Sequence, residues 1–536
     1  MRPMSPRIAE ADVVIIGSGV SAAMVAEKLA EERTCSILVV EAGDESDPLA
    51  TRAALRRRFL DYGESPWQKD HLDGYDVAAM QSRSMQVGGL AMHWGGVTPR
   101  FSPEDFRIKS IFGVHDDWPI SYQDLDPFYQ EAEERIGVAG EQGPADLDPR
   151  SRPFPQPALP LTYNLTALKR WAADAGIVTW SQPSAKNSVR YRDRPACCRN
   201  DTCFPSCPIG AKYSPDFTWN ALRRAGRVEL MTRTVVRRLE CDPGSGRVVK
   251  AVATHRDRPT EALELRAGTF VVAAGYLWSS HLLLASRSGR FPAGLANRSG
   301  QVGKFICGHR NLNAFISLPV ALYPGLNEQH SLVSKQFMRA GDAPRYIRHD
   351  LRIWESNAGQ QPRLRDDRGD MLLGDAFLAD WRRRTATGTA RVRSYYDVLP
   401  DRASEVTLDP SRRTPWGDPL PRLAWRDAPA SVDLRAPTEA KIRDLFEHLA
   451  KSGGGKVLSV RVDEFQDHPA GGCRMGTDPS TSVTDGWGRS HDHENLFVVG
   501  APTCVSASCA NGTLTFAALS LRSAAEIGRA FPARAS

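Results

Sequence analysis

The chain has 536 residues, 41% of them hydrophobic, and carries 69 Lys and Arg against 63 Asp and Glu, a net charge of +6. That length exceeds what one core fills, so two or more structural units are expected. The charges are mixed along the chain and the basic runs at 56–58 and 382–384 are short, which excludes a nucleic-acid stripe, and no stretch approaches the ~18 uninterrupted apolar residues of a spanning helix.

The first strand begins after about ten residues with no hydrophobic signal region ahead of it. By its own sequence the chain reads as cytoplasmic, and as periplasmic or membrane-associated when a partner's export signal carries it. Cys35, Cys241, Cys307, Cys473, Cys504 and Cys509 are scattered singly, as in a protein folded under reducing conditions. Val13-Val14-Ile15-Ile16 has the length and β-branching of a buried parallel strand and runs into Gly17-Ser18-Gly19. VSAAMVAEKLAEE follows with helical spacing, and SILVV then ends at Glu41. In this strand–turn–helix–strand unit Gly17 makes the tight turn, Gly19 lets backbone approach a pyrophosphate, and Ala22 allows close helix packing. Glu41, 22 residues after Gly19, stands where an acid accepts hydrogen bonds from a ribose, which argues against a 2′-phosphate. The unit predicts a dinucleotide and leaves FAD and NAD open.

Farther along, Gly88-Gly89 precedes His93-Trp94-Gly95-Gly96, small residues around an aromatic pair that predict backbone packed against a flat ligand. Residues 145–195, rich in Pro and Arg, read as an ordered excursion. It leads to CCRNDTCFPSCPIGAK, which crowds Cys197, Cys198, Cys203 and Cys207 into eleven positions. Zinc, two disulfides and an iron–sulfur cluster are all open for these thiols; the C-x₃-C-P ending also closes ferredoxin-type runs. FVVAAGYLWSSHLLLAS predicts a buried strand, a glycine turn at Ala274-Gly275 and a helix. Residues 311–464 contain short strands joined by Pro, Gly and Asp turns. DHPAGGCRMG, from Asp467, and a convincing final helix after Asn511 close the chain.

These pieces, in this order, resemble the glucose–methanol–choline (GMC) oxidoreductases, FAD enzymes that oxidise alcohols. Within them the likeness is to the catalytic subunits of bacterial FAD-dependent glucose dehydrogenase and its fructose and gluconate relatives. The resemblance runs from Val13 to the last helix and rests on the N-terminal motif, VGGLAMHWGG, DDWPISYQDLDPFYQEAEERIGV, the cysteine-rich segment, FVVAAGYLWSSHLLLAS and the C-terminal block. It implies an α/β fold, α+β overall, with a Rossmann-like FAD domain assembled from residues 8–120, 205–310 and 465–530. An excursion at 121–204 leads into the cysteine-rich segment 197–207, and a sheet-based substrate domain occupies 311–464.

The resemblance also implies roles. His468 takes the proton of the substrate hydroxyl, Asn511 binds the same oxygen, and hydride passes to flavin N5. The chemistry requires such a base, because an alcohol C–H becomes a hydride donor only as the O–H proton leaves. Val235, Gly500, Ala501 and Thr513 join the residues named above in holding FAD, and some relatives attach FAD through a histidine at the place of His93. Cys198, Cys203 and Cys207 hold a [3Fe–4S] cluster, with Cys197 as a further candidate. Gly512 stands where relatives often have Pro, so the first turn of the last helix is expected to be looser.

The expected protein is thus an FAD-dependent dehydrogenase of a sugar, glycoside or sugar acid. Its electrons pass through a cluster to an external acceptor, with a small subunit and a cytochrome c as partners. Two other classes remain: an oxidase that reduces O₂ without a cluster, and a non-catalytic FAD-binding escort with a zinc knuckle.

Overall fold

The computed structural model describes residues 7–63, 84–199, 203, 206–322, 330–341, 343–356 and 362–534, without the side chains of 464–467. Parts of the segments 8–120, 197–207 and 311–464 named above therefore lie outside the described residues.

Among the described residues seven strands form one sheet. Its centre is the parallel trio Arg7–Ile16, Ile37–Val40 and Arg258–Val272, in which Val13 to Ile16 pair with Ile37 to Val40 on one side and with Thr269 to Val272 on the other. Leu496–Val498, far off in sequence, adds in parallel beside Phe270 to Val272. These strands read as continuous apolar runs because both faces are covered, as parallel sheets require. One face packs on the helix Val20–Glu32, whose Ala22, Ala23 and Ala26 are fully buried against Val13 and Ile15. Small side chains here let the helix axis lie close to the sheet.

The second sheet has six strands in the described residues, ordered Lys456–Ala470, Cys307–Leu318, Gly388–Val398, Leu351–Ser356, Leu332–Ser334 and Trp180–Ser181. Its strands alternate, the signature of a sheet with two unlike faces. Leu312, Ala314, Ile316, Val392, Ala390, Leu351 and Ile353 bury against the helices Tyr163–Asp174 and Pro429–Ser452. The opposite face carries His309, Asn311, Asn313, Arg391, Arg393, Tyr395, Arg352 and Trp354, which the registers Asn311↔Tyr395, Asn313↔Arg393, Arg352↔Arg393 and Trp354↔Arg391 place side by side.

The two sheets are tied together through the C-terminal block. Gly471 N–H donates to the Ala501 carbonyl, Cys473 N–H to Pro502 and Met475 N–H to Thr503. Gly471 and Gly472 both have positive φ, and a Cβ on Gly471 would stand 2.2 Å from the Phe305 carbonyl oxygen, so this crossing requires glycine. No helix among the described residues is long and apolar enough to cross a membrane.

Candidate active site

The sequence-predicted dinucleotide residues converge at the C-terminal ends of the parallel trio, where open α/β sheets bind ligands. Gly17 has φ +99°, and a Cβ there would lie 2.6 Å from the Ala273 carbonyl oxygen. Gly19 is the N-cap of Val20–Glu32 in extended backbone, and a Cβ on it would meet nothing within 4 Å. The turn is thus closed behind Gly17 and open in front of Gly19, the space a pyrophosphate would fill at the helix N-terminus. Trp219 donates its indole N–H to the Ser18 carbonyl at 2.8 Å and locks the turn.

Glu41 is buried at the end of Ile37–Val40, accepting from Ser18 Oγ at 2.6 Å and from Gly43 N at 2.8 Å. Burial raises its pKa against those hydrogen bonds, and a carboxylate with two bonds made retains acceptor capacity for a ribose. Gly88 and Gly89 both have positive φ, and a Cβ on Gly89 would come 3.5 Å from the Gly19 Cα, so the two glycine turns face each other. Ala274 caps the helix Gly275–Ala285 and Gly275 has φ +73°. Gly500 approaches the Val20–Glu32 helix closely enough that a Cβ would stand 2.0 Å from Ser21 Oγ. Val235 is buried on the neighbouring strand Thr234–Cys241 opposite Thr254. This cradle fits an extended dinucleotide.

Gly19→Val is expected to leave the melting temperature of FAD-free protein unchanged while FAD content after purification falls roughly tenfold or more, because the new side chain occupies only the pyrophosphate space. Absorbance at the flavin band against protein, with a melt of the stripped protein, checks this; full FAD content would show that the nucleotide lies elsewhere.

His93 ends the 3₁₀ turn Gly89–Met92. Its Nε2 accepts from Gln86 Nε2 at 2.7 Å, and burial, with Lys212 and Arg52 nearby, pulls its pKa down to about 2, so the ring is neutral. Trp94 donates its indole N–H to the Tyr213 carbonyl at 2.8 Å, while Lys212 Nζ donates both to the Trp94 carbonyl at 2.5 Å and to the Cys203 carbonyl at 2.9 Å. Gly95 is half-buried between these bonds. The cysteine-rich segment is therefore bonded directly to the His93–Trp94 loop.

Cys203 and Cys207 are buried, Cys197 is half-buried and Cys198 is exposed. Burial raises the Cys197 pKa. No cysteine among the described residues is in a disulfide, and no three His, Cys, Asp or Glu side chains among them converge closely enough to hold a metal. The thiol that sequence reading put first in the ligand set, Cys198, is exposed, and its neighbour Cys197 is half-buried.

His468 and Asn511, 43 residues apart, stand side by side: Asn511 Nδ2 lies 2.7 Å from His468 Nε2. His468 sits near the end of Lys456–Ala470, where register against Cys307–Leu318 slips between His309↔Asp467 and Cys307↔Ala470. This is a β-bulge, a device that re-aims a side chain beside a site, and His468 takes φ +50° in it, a strained conformation for a non-glycine residue. Asn511 precedes the helix Thr513–Gly528, whose N-cap is Gly512. Its side chain turns to His468 instead of capping the helix, and its buried Oδ1 has no hydrogen-bond partner among the described residues, an acceptor left for a ligand. Thr513, the first helical residue, and Ala501 are both half-buried at this end of the cradle.

One member of the site escaped sequence reading. His309, fully buried, places Nε2 2.8 Å from His468 Nδ1 and Nδ1 3.1 Å from the Ser508 carbonyl oxygen. Tyr395 packs on both rings, at 4.2 Å from His309 and 5.8 Å from His468. A histidine inside an otherwise alternating strand was the available signal, but only the register brings it to His468.

Residues 400–520 match the family described as GMC oxidoreductase. The chain is 30% identical to the fructose dehydrogenase large subunit of Gluconobacter japonicus, over 97% of this chain and 98% of that protein. It is 28% identical to the paromamine 6'-oxidase of Streptomyces fradiae, over 96% and 90%. Among solved structures it resembles a pyridoxine 4-oxidase from Mesorbium loti, with a TM-score of 0.59 and 19% identity over 97% of this chain and 99% of that one.

Proposed function

Because the chain belongs to the GMC oxidoreductases and is an FAD-dependent oxidoreductase of CH–OH groups, we propose that its substrate is a sugar, glycoside or sugar acid and that it works as a dehydrogenase. The observation that carries the substrate class is the polar face of the second sheet, which runs outward from His468. Asn313 donates to Asp463 at 2.8 Å and accepts from Arg391 at 3.2 Å. Arg393 lies over the rings of Tyr395, at 4.2 Å, and Trp354, at 4.8 Å. Arg352 is buried over Tyr395, and its Nη1 and Nη2 have no hydrogen-bond partner among the described residues. Such a face offers a polyol both aromatic surface and unspent donors, and it is a poor wall for a simple alkyl alcohol.

The chemistry follows from the pair. The 2.7 Å between His468 and Asn511 is too short to admit an oxygen, which would need its two neighbours about 5 Å apart. The substrate hydroxyl therefore parts them. Its O–H donates to His468 Nε2, and its oxygen accepts from Asn511 Nδ2. As His468 takes the proton, negative charge grows on the oxygen, and the Asn511 N–H holds that charge where it appears. FAD, when bound, supplies the acceptor for the two electrons and hydrogen of the carbinol carbon.

The dehydrogenase reading is supported by the spacing Cys198-x₄-Cys203-x₃-Cys207-Pro208, by the bonds joining this segment to the His93–Trp94 loop, and by a relative whose name is that of a dehydrogenase. We read the segment as the seat of an iron–sulfur cluster held by Cys203, Cys207 and a thiol of the Cys197–Cys198 pair. The thiols do not converge as they stand, so seating a cluster draws the third sulfur inward. A relative named as a large subunit supports a small partner subunit, and a one-electron relay supports a cytochrome acceptor.

Anaerobic addition of sugars, glycosides and sugar acids should bleach the flavin where short alkyl alcohols do not. The protein should contain iron and acid-labile sulfide and reduce one-electron dyes faster than O₂. Bleaching by alkyl alcohols alone would overturn the substrate class. Rapid peroxide formation by iron-free protein would turn the reading to an oxidase.

A further inference from the structure

We propose that His309 is a positioning residue that fixes His468 in the one tautomer able to act as the base. The inference rests on His468 being that base, and it follows from the direction each atom must bond. The Ser508 carbonyl can only accept, so the N–H of neutral His309 is on Nδ1, 3.1 Å away. His309 Nε2 then carries a lone pair, and the group facing it at 2.8 Å, His468 Nδ1, must donate. With its proton on Nδ1, His468 presents a lone pair at Nε2, where Asn511 Nδ2 sits in the resting site and where the substrate hydroxyl will come. Every link is directional, and reversing any one of them puts a proton on the atom that has to receive one.

The surrounding fold holds this chain under strain. Ser508 has φ +60° and His468 φ +50°, so both ends of the relay are residues in left-handed backbone, kept there by their surroundings. His309 is fully buried and cannot exchange its partners for water. Among the described residues the titratable groups facing it are His468 on Lys456–Ala470, and Tyr395 and its same-face partner Asp397 on Gly388–Val398. Asp397 is buried, which raises its carboxyl to about 7, and it accepts from Tyr346 O–H at 2.7 Å.

The relay also acts on the charged state. When His468 receives the substrate proton, its Nδ1–H becomes a stronger donor, and the His309 lone pair stabilises the imidazolium more than the neutral ring. His309 thus raises the pKa of the base. Removing it lowers that pKa and moves the acid limb of kcat/KM to lower pH.

The test is a series at one position, read by anaerobic stopped-flow reduction of the FAD-loaded enzyme across pH. His309→Leu should slow flavin reduction by roughly 10- to 100-fold, the scale of a lost orienting partner, and shift the acid limb downward. His309→Gln, whose amide oxygen can accept from Nδ1–H, should recover most of the rate. FAD content and melting temperature serve as controls for folding. If Leu and Gln variants are equally slow with the acid limb unmoved, His309 only packs and the proposal fails. His468→Ala in parallel separates the two readings: a slow His468 variant beside a normal His309→Leu sinks the positioning role alone, whereas a fast His468 variant sinks the base assignment beneath it.

Discussion

His468→Ala is expected to bind FAD normally and yet to be reduced by substrate roughly 10²- to 10⁴-fold more slowly, the loss that follows from removing a positioned general base. FAD should remain because the cradle of Gly17, Gly19 and Glu41 lies on the parallel sheet, whereas His468 hangs from a bulge at the edge of the other sheet. The alanine also suits the backbone poorly: His468 has φ +50°, so His468→Asn, a residue that tolerates this region better, is the control for backbone effects. Both variants should lose rate together. Asn511→Ala should be less severe than either, since it removes one donor to the developing charge and leaves the base in place. Rapid mixing with substrate under anaerobic conditions measures all three. Near-normal reduction by His468→Ala would place the base elsewhere.

The largest effect on stability is expected at Asp105. Its carboxylate accepts from Arg348 Nη1 at 2.8 Å, and both side chains are fully buried. The same carboxylate accepts from Ser102 N at 2.6 Å, closing a capping box on the turn Pro103–Phe106. Arg348 also donates to the Met338 carbonyl at 2.6 Å and lies over the adjoining rings of Phe112 and Tyr346. Asp105→Ala strands a buried guanidinium and should lower unfolding free energy by about 3–5 kcal/mol. The double variant Asp105→Leu, Arg348→Met should recover much of that loss, because a well-packed apolar pair needs no countercharge. Chemical denaturation of the three proteins at one pH tests this; a single variant within about 1 kcal/mol of the parent would mean that water or a shifted partner reaches Arg348. The pair matters to the site as well. The Arg348 carbonyl accepts from Cys509 Sγ at 3.4 Å, so the segment bearing Ser508 and Asn511 leans on it.

The sequence by itself determined whatever depends on neighbours along the chain. Val13 to Ile16 had to be a parallel strand because all four are apolar and β-branched, and the Gly17-Ser18-Gly19 turn and the small face of Val20–Glu32 followed from the conformations glycine and alanine allow. The helices Gly275–Ala285 and Thr513–Gly528 were equally legible from their spacing. The α/β class came with them. The association of His468 with Asn511 was legible only through resemblance, since nothing in residues 467–476 or 511–528 alone says that they meet.

Tertiary structure alone decided the rest. His309 and His468 are 159 residues apart and are joined by a register that includes a bulge; a slip of one residue would send His309 to the apolar face. That Cys197 is half-buried while its neighbour Cys198 is exposed is a property of the folded segment, which spacing alone does not carry. The pairing of Asp105 with Arg348 and the polar array from Asn311 to Arg352 were hidden for the same reason. Local sequence fixes dihedral preferences and periodicity, whereas which distant side chains share a buried site is settled by the packing of whole sheets, where a few ångströms decide between a hydrogen bond and none.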